Sequence, residues 1–213
     1  MNPKTLTEKL NEGRQFRNTQ EMRAIDQNDQ VVEGYATTFD EPYELYRFQW
    51  EGKPYIVMEQ VSSRAFDEAD MDDVIMQYDH EGRVFARKSN GTLSMEADEH
   101  GLKIRADLSG TQIGRQLYEE IKGGYTNKMS FGFTVSSDEN NEVRDDEKTV
   151  LTRTITGIRK LYDVSAVSLP ANNATEISAR SFVDGVIAGL TEERRKREEI
   201  ERQKQKIRIM LDL

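Results

Sequence analysis

The chain has 213 residues, of which 36% are hydrophobic and 32% charged, and its formal net charge is −9. This length suits one substantial domain with appendages rather than two large domains. The sequence has no cysteine and two histidines, which excludes a disulfide framework and leaves little material for a metal cage, so we expect no cofactor. The negative charge argues against nucleic acid as a partner, and no run approaches the ~20 apolar residues that span a bilayer, so a soluble cytoplasmic protein is expected.

The first strand-like segment follows a polar stretch. Residues 1–29 contain scattered apolar residues that would form at most a frayed amphipathic helix, so we predict an N-terminal arm. The alternation in VVEGYATTF, from Val31, is typical of a strand and marks the start of the core. The turn residues Glu-Gly-Lys-Pro within YRFQWEGKPYIVMEQV predict a hairpin, and a short helix is expected from Ser63. Residues 72–108 alternate strand-like runs with turn residues, which predicts an antiparallel meander.

The clearest helix in the sequence is TQIGRQLYEEIKGG, residues 111–124. Apolar residues recur every four positions at Ile113, Leu117 and Ile121, a threonine can cap the start, and a glycine pair stops the helix. The acidic stretch 136–148 predicts a loop. It separates the strand-like segment YTNKMSFGFTV from VLTRTITGI and KLYDVSAVSLPA, which are also strand-like.

The C-terminal region changes character at Thr191. Twelve of the fifteen residues in 192–206 are charged, so this segment cannot build a core. It favours a solvated helix with Glu-to-Arg or Glu-to-Lys pairs, although a detachable tail that binds a partner is the alternative. We therefore predict a polar N-terminal arm (1–29), a β-rich core domain (30–180) and a charged helical tail (181–213).

One serine in the core, Ser130, has two interpretations. Strand alternation places it with Lys128 and Gly132 on a small polar face, opposite bulky apolar residues. It could be a nucleophile, with Gly132 leaving space for a substrate backbone and the N–H groups of Phe131 and Gly132 as oxyanion donors. It could also be a structural serine that bonds a neighbouring carbonyl, which is the interpretation that the pattern alone favours.

Two residues could cooperate with such a nucleophile. His80 follows VIMQYD, where a strand meets a polar turn, and could act as the base. Asp163 lies inside the apolar run LYDVSAVSL, where a carboxylate is costly to bury without a partner, and could orient the imidazole. Lys128 is a competing base, because it lies two residues from Ser130. His100, in the segment DEHG, is predicted to be an exposed hairpin tip.

Several segments of the core resemble one family when they are taken in order: VEGYATTFD, SRAFDEAD, QYDHEGRVFARKSNGTLSMEADEHGLKIRADL, GRQLYEEIKGGYTNKMSFGF and LYDVSAVSLPA. The order and spacing, with fifty residues from His80 to Ser130 and thirty-three from Ser130 to Asp163, resemble the prohead (capsid maturation) proteases of tailed bacteriophages. These serine peptidases are distantly similar to the herpesvirus assemblins. The resemblance runs from about Val32 to Ala171.

The resemblance implies a mainly β fold with flanking helices, a compact barrel like that of the herpesvirus proteases. It implies that His80 is the general base, Ser130 the acylating nucleophile and Asp163 the orienter of His80. The herpesvirus relatives use a second histidine in the third position, which leaves His100 as the alternative orienter here.

The resemblance also implies a biological role. It implies a serine endopeptidase that acts inside the immature capsid, in the host cytoplasm. This enzyme is expected to cleave the scaffold or the scaffolding segment of the major capsid protein during virion assembly, and then to cleave itself. Those proteins are the expected partners, a homo-oligomer is compatible with the role, and neither a membrane nor a specific nucleic acid is expected. The alternative is a non-enzymatic scaffold or assembly factor that acts through the charged tail, residues 191–213.

Overall fold

The computed structural model describes residues 13–26, 29–168 and 173–211. Strands make up 53% of the structure and two helices accompany them, so the prediction of a mainly β fold with helices is confirmed. The strands are β1 (Gln15–Glu21), β2 (Arg23–Asp26), β3 (Val31–Thr38), β4 (Tyr43–Trp50), β5 (Lys53–Val61), β6 (Ile75–Tyr78), β7 (Glu81–Arg87), β8 (Leu93–Ala97), β9 (Gly101–Asp107), β10 (Lys128–Arg144) and β11 (Thr149–Val167). The helices are α1 (Gln112–Lys122) and α2 (Asn173–Leu211), and a 3-10 turn spans Lys88–Asn90.

The strands form two sheets. The larger sheet has the order β1-β10-β11-β5-β4, and the β6–β7 hairpin joins it through parallel pairing of β6 with the C-terminal end of β11. The smaller sheet has the order β2-β3-β9-β8. Over the residues that the structure describes, the strand pairing closes no barrel, so the barrel that the resemblance implied is not confirmed.

One apolar core lies between the two sheets and α1. Alternation in β10 and β11 directs Phe131, Phe133 and Val164 into this core, where they are fully buried. The opposite face of the same two strands holds Ser130 and Asp163. The core therefore fixes the two strands that position these polar residues.

Helix α1 begins and ends as the sequence predicts. Its N-cap is Thr111, whose hydroxyl accepts a hydrogen bond from the Gly114 backbone N–H at 3.0 Å, and it ends before Gly123. The face that packs on the core includes Leu117 and Ile121. This helix is confirmed.

The C-terminal helix, α2, packs against β4, β5 and the N-terminal part of β11 in the large sheet. A second apolar cluster joins them, and it includes Tyr55, Val57, Leu151, Val186, Ile187 and Leu190. Beyond Thr191 the described side chains are exposed and form pairs along the helix, such as Arg194 with Glu198 at 3.0 Å. Within the part of the chain that is described, neither helix combines the length and apolarity needed to cross a bilayer.

The N-terminal segment differs from its prediction. The frayed helix expected within 1–29 is wrong for the described residues, because β1 and β2 are strands of the two sheets. β1 pairs with β10 along its length, and its polar side chains Gln15 and Arg17 are buried, as is Met22 after it. Residues 1–12 lie outside the described part of the chain. The division into arm, core domain and tail stays a prediction.

Three other predicted elements were wrong. The segment from Ser63 forms successive turns that bury Phe66 rather than a helix. The acidic stretch 136–148 is mostly strand, since β10 runs on to Arg144 and pairs with β11, and a complete partner strand outweighs the low strand propensity of Asp and Asn. The meander expected over 72–108 is split, because the β6–β7 hairpin belongs to the larger sheet and the β8–β9 hairpin to the smaller one.

A buried ion network ties β1 to the middle of the large sheet. Glu59 of β5 accepts hydrogen bonds from Arg17 Nη2 at 2.9 Å, Arg153 Nη1 at 2.8 Å and the Tyr43 hydroxyl at 2.5 Å. The side chains of Arg17, Glu59 and Arg153 are all buried. Burial by itself would raise the pKa of Glu59, but the two cations outweigh it and lower that pKa to about 2.

Replacement of Glu59 by leucine is expected to lower the free energy of unfolding by about 3–5 kcal/mol, because it leaves Arg17 as a buried cation without its carboxylate. Urea unfolding followed by circular dichroism measures this. The matched control is Glu44→Leu, since Glu44 is an exposed β4 residue paired with Arg47 on the surface, and it should change stability little. Equal effects of the two changes would contradict a structural role for the network.

Candidate active site

His80 lies in the two-residue turn that joins β6 to β7. Asp79 and His80 both have positive φ, 48° and 62°, as a tight hairpin turn requires. The turn is fixed to the end of β11, because the Asp79 backbone N–H donates to the Ala166 carbonyl at 2.9 Å. The Asp79 carboxylate also accepts hydrogen bonds from the Ser168 backbone N–H and hydroxyl, both at 2.9 Å. These bonds hold the His80 ring over the neighbouring strands.

Ser130 and Asp163 lie on adjacent strands of the large sheet. In the register of β10 and β11, Ser130 is opposite Ser165 and Gly132 is opposite Asp163. Residues directly opposite each other in an antiparallel pair share a face, so Ser130 and Asp163 are diagonal neighbours on one face. Both are fully buried, with 0% exposure.

The His80 imidazole bridges these two residues. Its Nε2 lies 2.6 Å from Ser130 Oγ and its Nδ1 lies 2.5 Å from Asp163 Oδ2. A carboxylate only accepts hydrogen bonds, so Nδ1 carries the proton and Nε2 accepts from the serine hydroxyl. The structure thus brings together the three residues that the sequence singled out, in the geometry needed to take a proton from Ser130.

Two further residues contact the Asp163 carboxylate. The Ser165 hydroxyl donates to Oδ2 at 2.5 Å, and the Arg14 guanidinium forms an ion pair with Oδ1. Both oxygens of the buried carboxylate therefore have donors. Sequence reasoning missed both residues. Ser165 could have been found, since it lies two positions after Asp163 on the same strand face, whereas nothing in the sequence indicated Arg14.

The environment of His80 keeps its imidazole neutral. Burial and the nearby Arg14 cation lower the pKa of His80 to about 4, although Asp79 acts in the opposite direction. Asp163 would also favour the protonated ring, but its charge is shared with Arg14. A neutral imidazole at pH 7 can accept a proton.

Phe16 of β1 covers the site. Its ring lies 4.3 Å from the His80 ring, centroid to centroid, and Phe16 is opposite Gly132 in the register of β1 and β10. The His80 side chain is only 4% exposed. Ser130 is thus closed to solvent in this structure, and contact with a substrate requires the Phe16 ring to move.

The predicted oxyanion donors, Phe131 and Gly132, lie inside a strand that is paired on both sides. β1 and β11 flank β10 at both residues, so their N–H groups lie in the plane of the sheet. Successive N–H groups of a strand point to alternate neighbours, so at most one of the two points toward β1, which is an edge strand. Their role as oxyanion donors stays a prediction.

The space in front of Gly132 is filled, contrary to the expectation that it would be open for a substrate backbone. A Cβ atom at this position would lie 2.8 Å from Arg14 Nε and 2.9 Å from Arg14 Nη2, and it would also collide with Asp163 Oδ1. Gly132 therefore makes room for the Arg14–Asp163 ion pair.

The alternative site residues lie elsewhere. Lys128 lines a groove next to the small sheet together with Met22 and Tyr35. His100 is exposed in the turn between β8 and β9, as predicted, and its ring contacts the Tyr35 ring at 4.6 Å. Of the candidate residues, the structure therefore brings His80 into contact with Ser130 and Asp163 into contact with His80.

A serine, an imidazole and a carboxylate in hydrogen-bonded series form the arrangement used by serine hydrolases. The model of the caudovirus prohead serine proteases matches residues 18–185, which is more than half of the chain. The chain therefore belongs to the caudovirus prohead serine protease family, as its sequence predicted. Membership indicates a serine peptidase and suggests a role in capsid maturation. Comparisons with curated proteins and with solved structures gave no match, and the similarity to assemblins stays a prediction.

Proposed function

We propose that this protein is a serine endopeptidase in which Ser130 is the nucleophile, His80 the general base and Asp163 the residue that orients His80. The observation that supports this is the unbroken contact from Ser130 Oγ through the His80 ring to Asp163, at 2.6 and 2.5 Å, in a chain of the prohead serine protease family. The same contact supports a catalytic role for Ser130, whereas the sequence pattern alone favoured a structural serine.

The chemistry follows from these contacts. Ser130 Oγ attacks the scissile carbonyl carbon while its proton passes to His80 Nε2, and Asp163 stabilises the imidazolium that forms. The imidazolium then protonates the leaving amine, the C–N bond breaks and an acyl-enzyme remains on Ser130. A water molecule gives its proton to His80 and attacks the ester, which releases the new carboxyl end and restores Ser130. Of the two proposed oxyanion donors, the N–H groups of Phe131 and Gly132, the candidate is the one that points toward the edge strand β1, and a local shift of β1 that leaves Arg14 on Asp163 would make it available.

The proposed substrates are the scaffold protein or the scaffolding segment of the major capsid protein, cleaved inside the immature capsid in the host cytoplasm. Family membership supports this role. The exposed, charged part of α2 offers a surface on which scaffold helices could bind and so direct the enzyme to its substrate. Self-cleavage near a chain end and assembly into a homo-oligomer are further parts of the proposal.

Three experiments test the proposed function and its parts. A fluorophosphonate probe should label Ser130 of the wild-type chain, and it should not label the Ser130→Ala variant. The control is Ser94→Ala, which removes an exposed serine of β8 and should be labelled like the wild type. Co-expression with the capsid and scaffold proteins of the same phage should shorten one of them only when Ser130 is present. Intact-mass analysis of wild type and Ser130→Ala then tests self-cleavage, and identical masses would remove that part of the proposal. Unchanged capsid processing by Ser130→Ala would refute the enzyme.

The scaffold alternative predicts the opposite pattern. If the charged tail alone mattered, deletion of residues 191–213 would abolish assembly while Ser130→Ala would have no effect. A buried hydrogen-bonded series on Ser130 has no use in that role, so the structure gives this alternative no support.

The pH dependence of hydrolysis should reflect the low pKa of His80. We expect kcat/KM to stay level as the pH falls from about 8 to about 5, and to decrease with an apparent pKa near 4, because protonated His80 cannot accept the serine proton. An ordinary histidine would give a decrease near pH 6.5. Initial rates on a peptide substrate across this range measure it, with His100→Gln as the control that leaves the profile unchanged. A decrease centred near pH 6.5 would contradict the proposed environment of His80.

A further inference from the structure

We propose that Arg14 is a positioning residue of this active site, which holds the Asp163 carboxylate in the orientation that His80 requires. This inference rests on the proposed function and adds a residue to its machinery. Arg14 precedes β1, in the segment that the sequence predicted to be a polar N-terminal arm.

The two oxygens of Asp163 have different partners. His80 Nδ1 and the Ser165 hydroxyl both contact Oδ2 at 2.5 Å, whereas Arg14 contacts Oδ1. Without Arg14, Oδ1 would lose the cation that binds it in a fully buried position, and the carboxylate could rotate away from His80. Arg14 therefore fixes the plane of the carboxylate.

The guanidinium itself is held in place by two aromatic rings. Its central carbon lies 5.1 Å from the centroid of the Phe16 ring and 4.8 Å from that of the Tyr162 ring. Ring faces attract cations, and a planar guanidinium stacks on them well. The side chain is 36% exposed, so these ring contacts and the ion pair with Asp163, rather than burial, hold it in a defined position.

The strand beneath the ion pair provides independent support. Only glycine at position 132 leaves room for the Arg14 guanidinium and Asp163 Oδ1, because a Cβ atom there would contact both. Glycine weakens a strand interior, since it has no side chain to pack. Its presence between Phe131 and Phe133 is explained by the ion pair above it.

Arg14 also acts on His80 through charge. The charged groups that bear on the His80 ring are Arg14 before β1, Asp163 on β11 and Asp79 in its own turn. The Arg14 cation disfavours the protonated ring and Asp79 favours it. Loss of the Arg14 cation should therefore raise the pKa of His80 toward the ordinary value. A substitution that removed only a structural contact distant from His80 would leave this pKa unchanged.

The kinetic test compares Arg14→Gln and Arg14→Lys with the control Arg23→Gln, which removes an exposed arginine of β2. Arg14→Gln should lower kcat about 10- to 100-fold, as expected for the loss of a hydrogen bond between charged groups, with KM nearly unchanged. The acid limb of its pH profile should move up toward pH 6.5. Arg14→Lys should keep the wild-type acid limb and recover part of kcat. Added methylguanidine should partly restore Arg14→Ala and have no effect on the control.

A second measurement does not depend on activity. In a Ser130→Ala, His100→Gln background, His80 is the only histidine, and NMR titration of its ring gives its pKa directly. Arg14→Gln should raise that pKa, because the cation that disfavours the protonated ring is lost. An unchanged pKa would overturn the positioning role even if hydrolysis were found. A wild-type chain with no Ser130-dependent hydrolysis, but with the expected pKa change, would overturn the proposed function instead.

Discussion

Replacement of Ser130 by alanine is expected to lower kcat by up to about 10⁶, because the change removes the atom that forms the acyl-enzyme. The fold should persist, since the hydroxyl lies on the face of β10 opposite the apolar core and its loss removes one hydrogen bond, worth about 1 kcal/mol. Steady-state kinetics on a peptide substrate and urea unfolding of the same preparation measure the two quantities.

The effect should not add to that of His80. His80→Ala alone should cost about as much as Ser130→Ala, and the double variant should be no slower than either, since the two residues act as one unit. Ser94→Ala is the matched control, because its serine is exposed. Additive losses, or a Ser130→Ala variant that retains most of the wild-type kcat, would show that Ser130 is not the nucleophile.

Asp163→Asn is expected to lower kcat by about 10⁴. An asparagine amide can donate to His80 Nδ1, which favours the tautomer with its proton on Nε2 and leaves no acceptor for the Ser130 hydroxyl. The amide also gives Arg14 no negative charge to bind. KM should change little, because Asp163 is fully buried and contacts His80, Ser165 and Arg14.

The controls for Asp163 separate it from the alternative orienter. His100→Gln and Asp98→Asn change the exposed turn between β8 and β9, and both should leave kcat at the wild-type value. A large loss in His100→Gln together with a small loss in Asp163→Asn would reverse the assignment. Stability should be measured in parallel, so that a lower kcat is not confused with a smaller folded fraction.

The sequence predicted those parts of the molecule that leave a local pattern. Helix α1 has a cap, a four-residue apolar repeat and a terminal glycine pair, and it forms as expected. Ser130 and Asp163 stood out as polar residues within apolar strands, and the order of motifs linked them with His80. Their proximity could not be derived from spacing alone, because it depends on the register of β10 and β11 and on how the β6–β7 turn is fixed to β11.

The parts that were missed depend on distant partners. β1 was predicted to be part of an arm because its segment is polar with scattered apolar residues. In the fold its alternation is inverted, with polar Gln15 and Arg17 buried and the aromatic Phe16 on the face of the site. Those polar residues are stable inside only because Glu59 and Arg153 lie there to receive them. A hydrophobicity pattern along the sequence cannot reveal such a network, because the network depends on residues from distant strands. The ion pair of Arg14 could not be predicted for the same reason, because its partner is 149 positions away.

This wide separation determines when the site can exist during synthesis. Arg14 is among the first described residues to leave the ribosome, whereas Asp163 and its strand β11 follow almost all of the sheet. β10 alone can hold the serine, but it has neither the carboxylate nor the strand to which the His80 turn is fixed until β11 emerges. On the proposed mechanism, a nascent chain therefore lacks the assembled site, and hydrolysis would begin only when the fold is nearly complete.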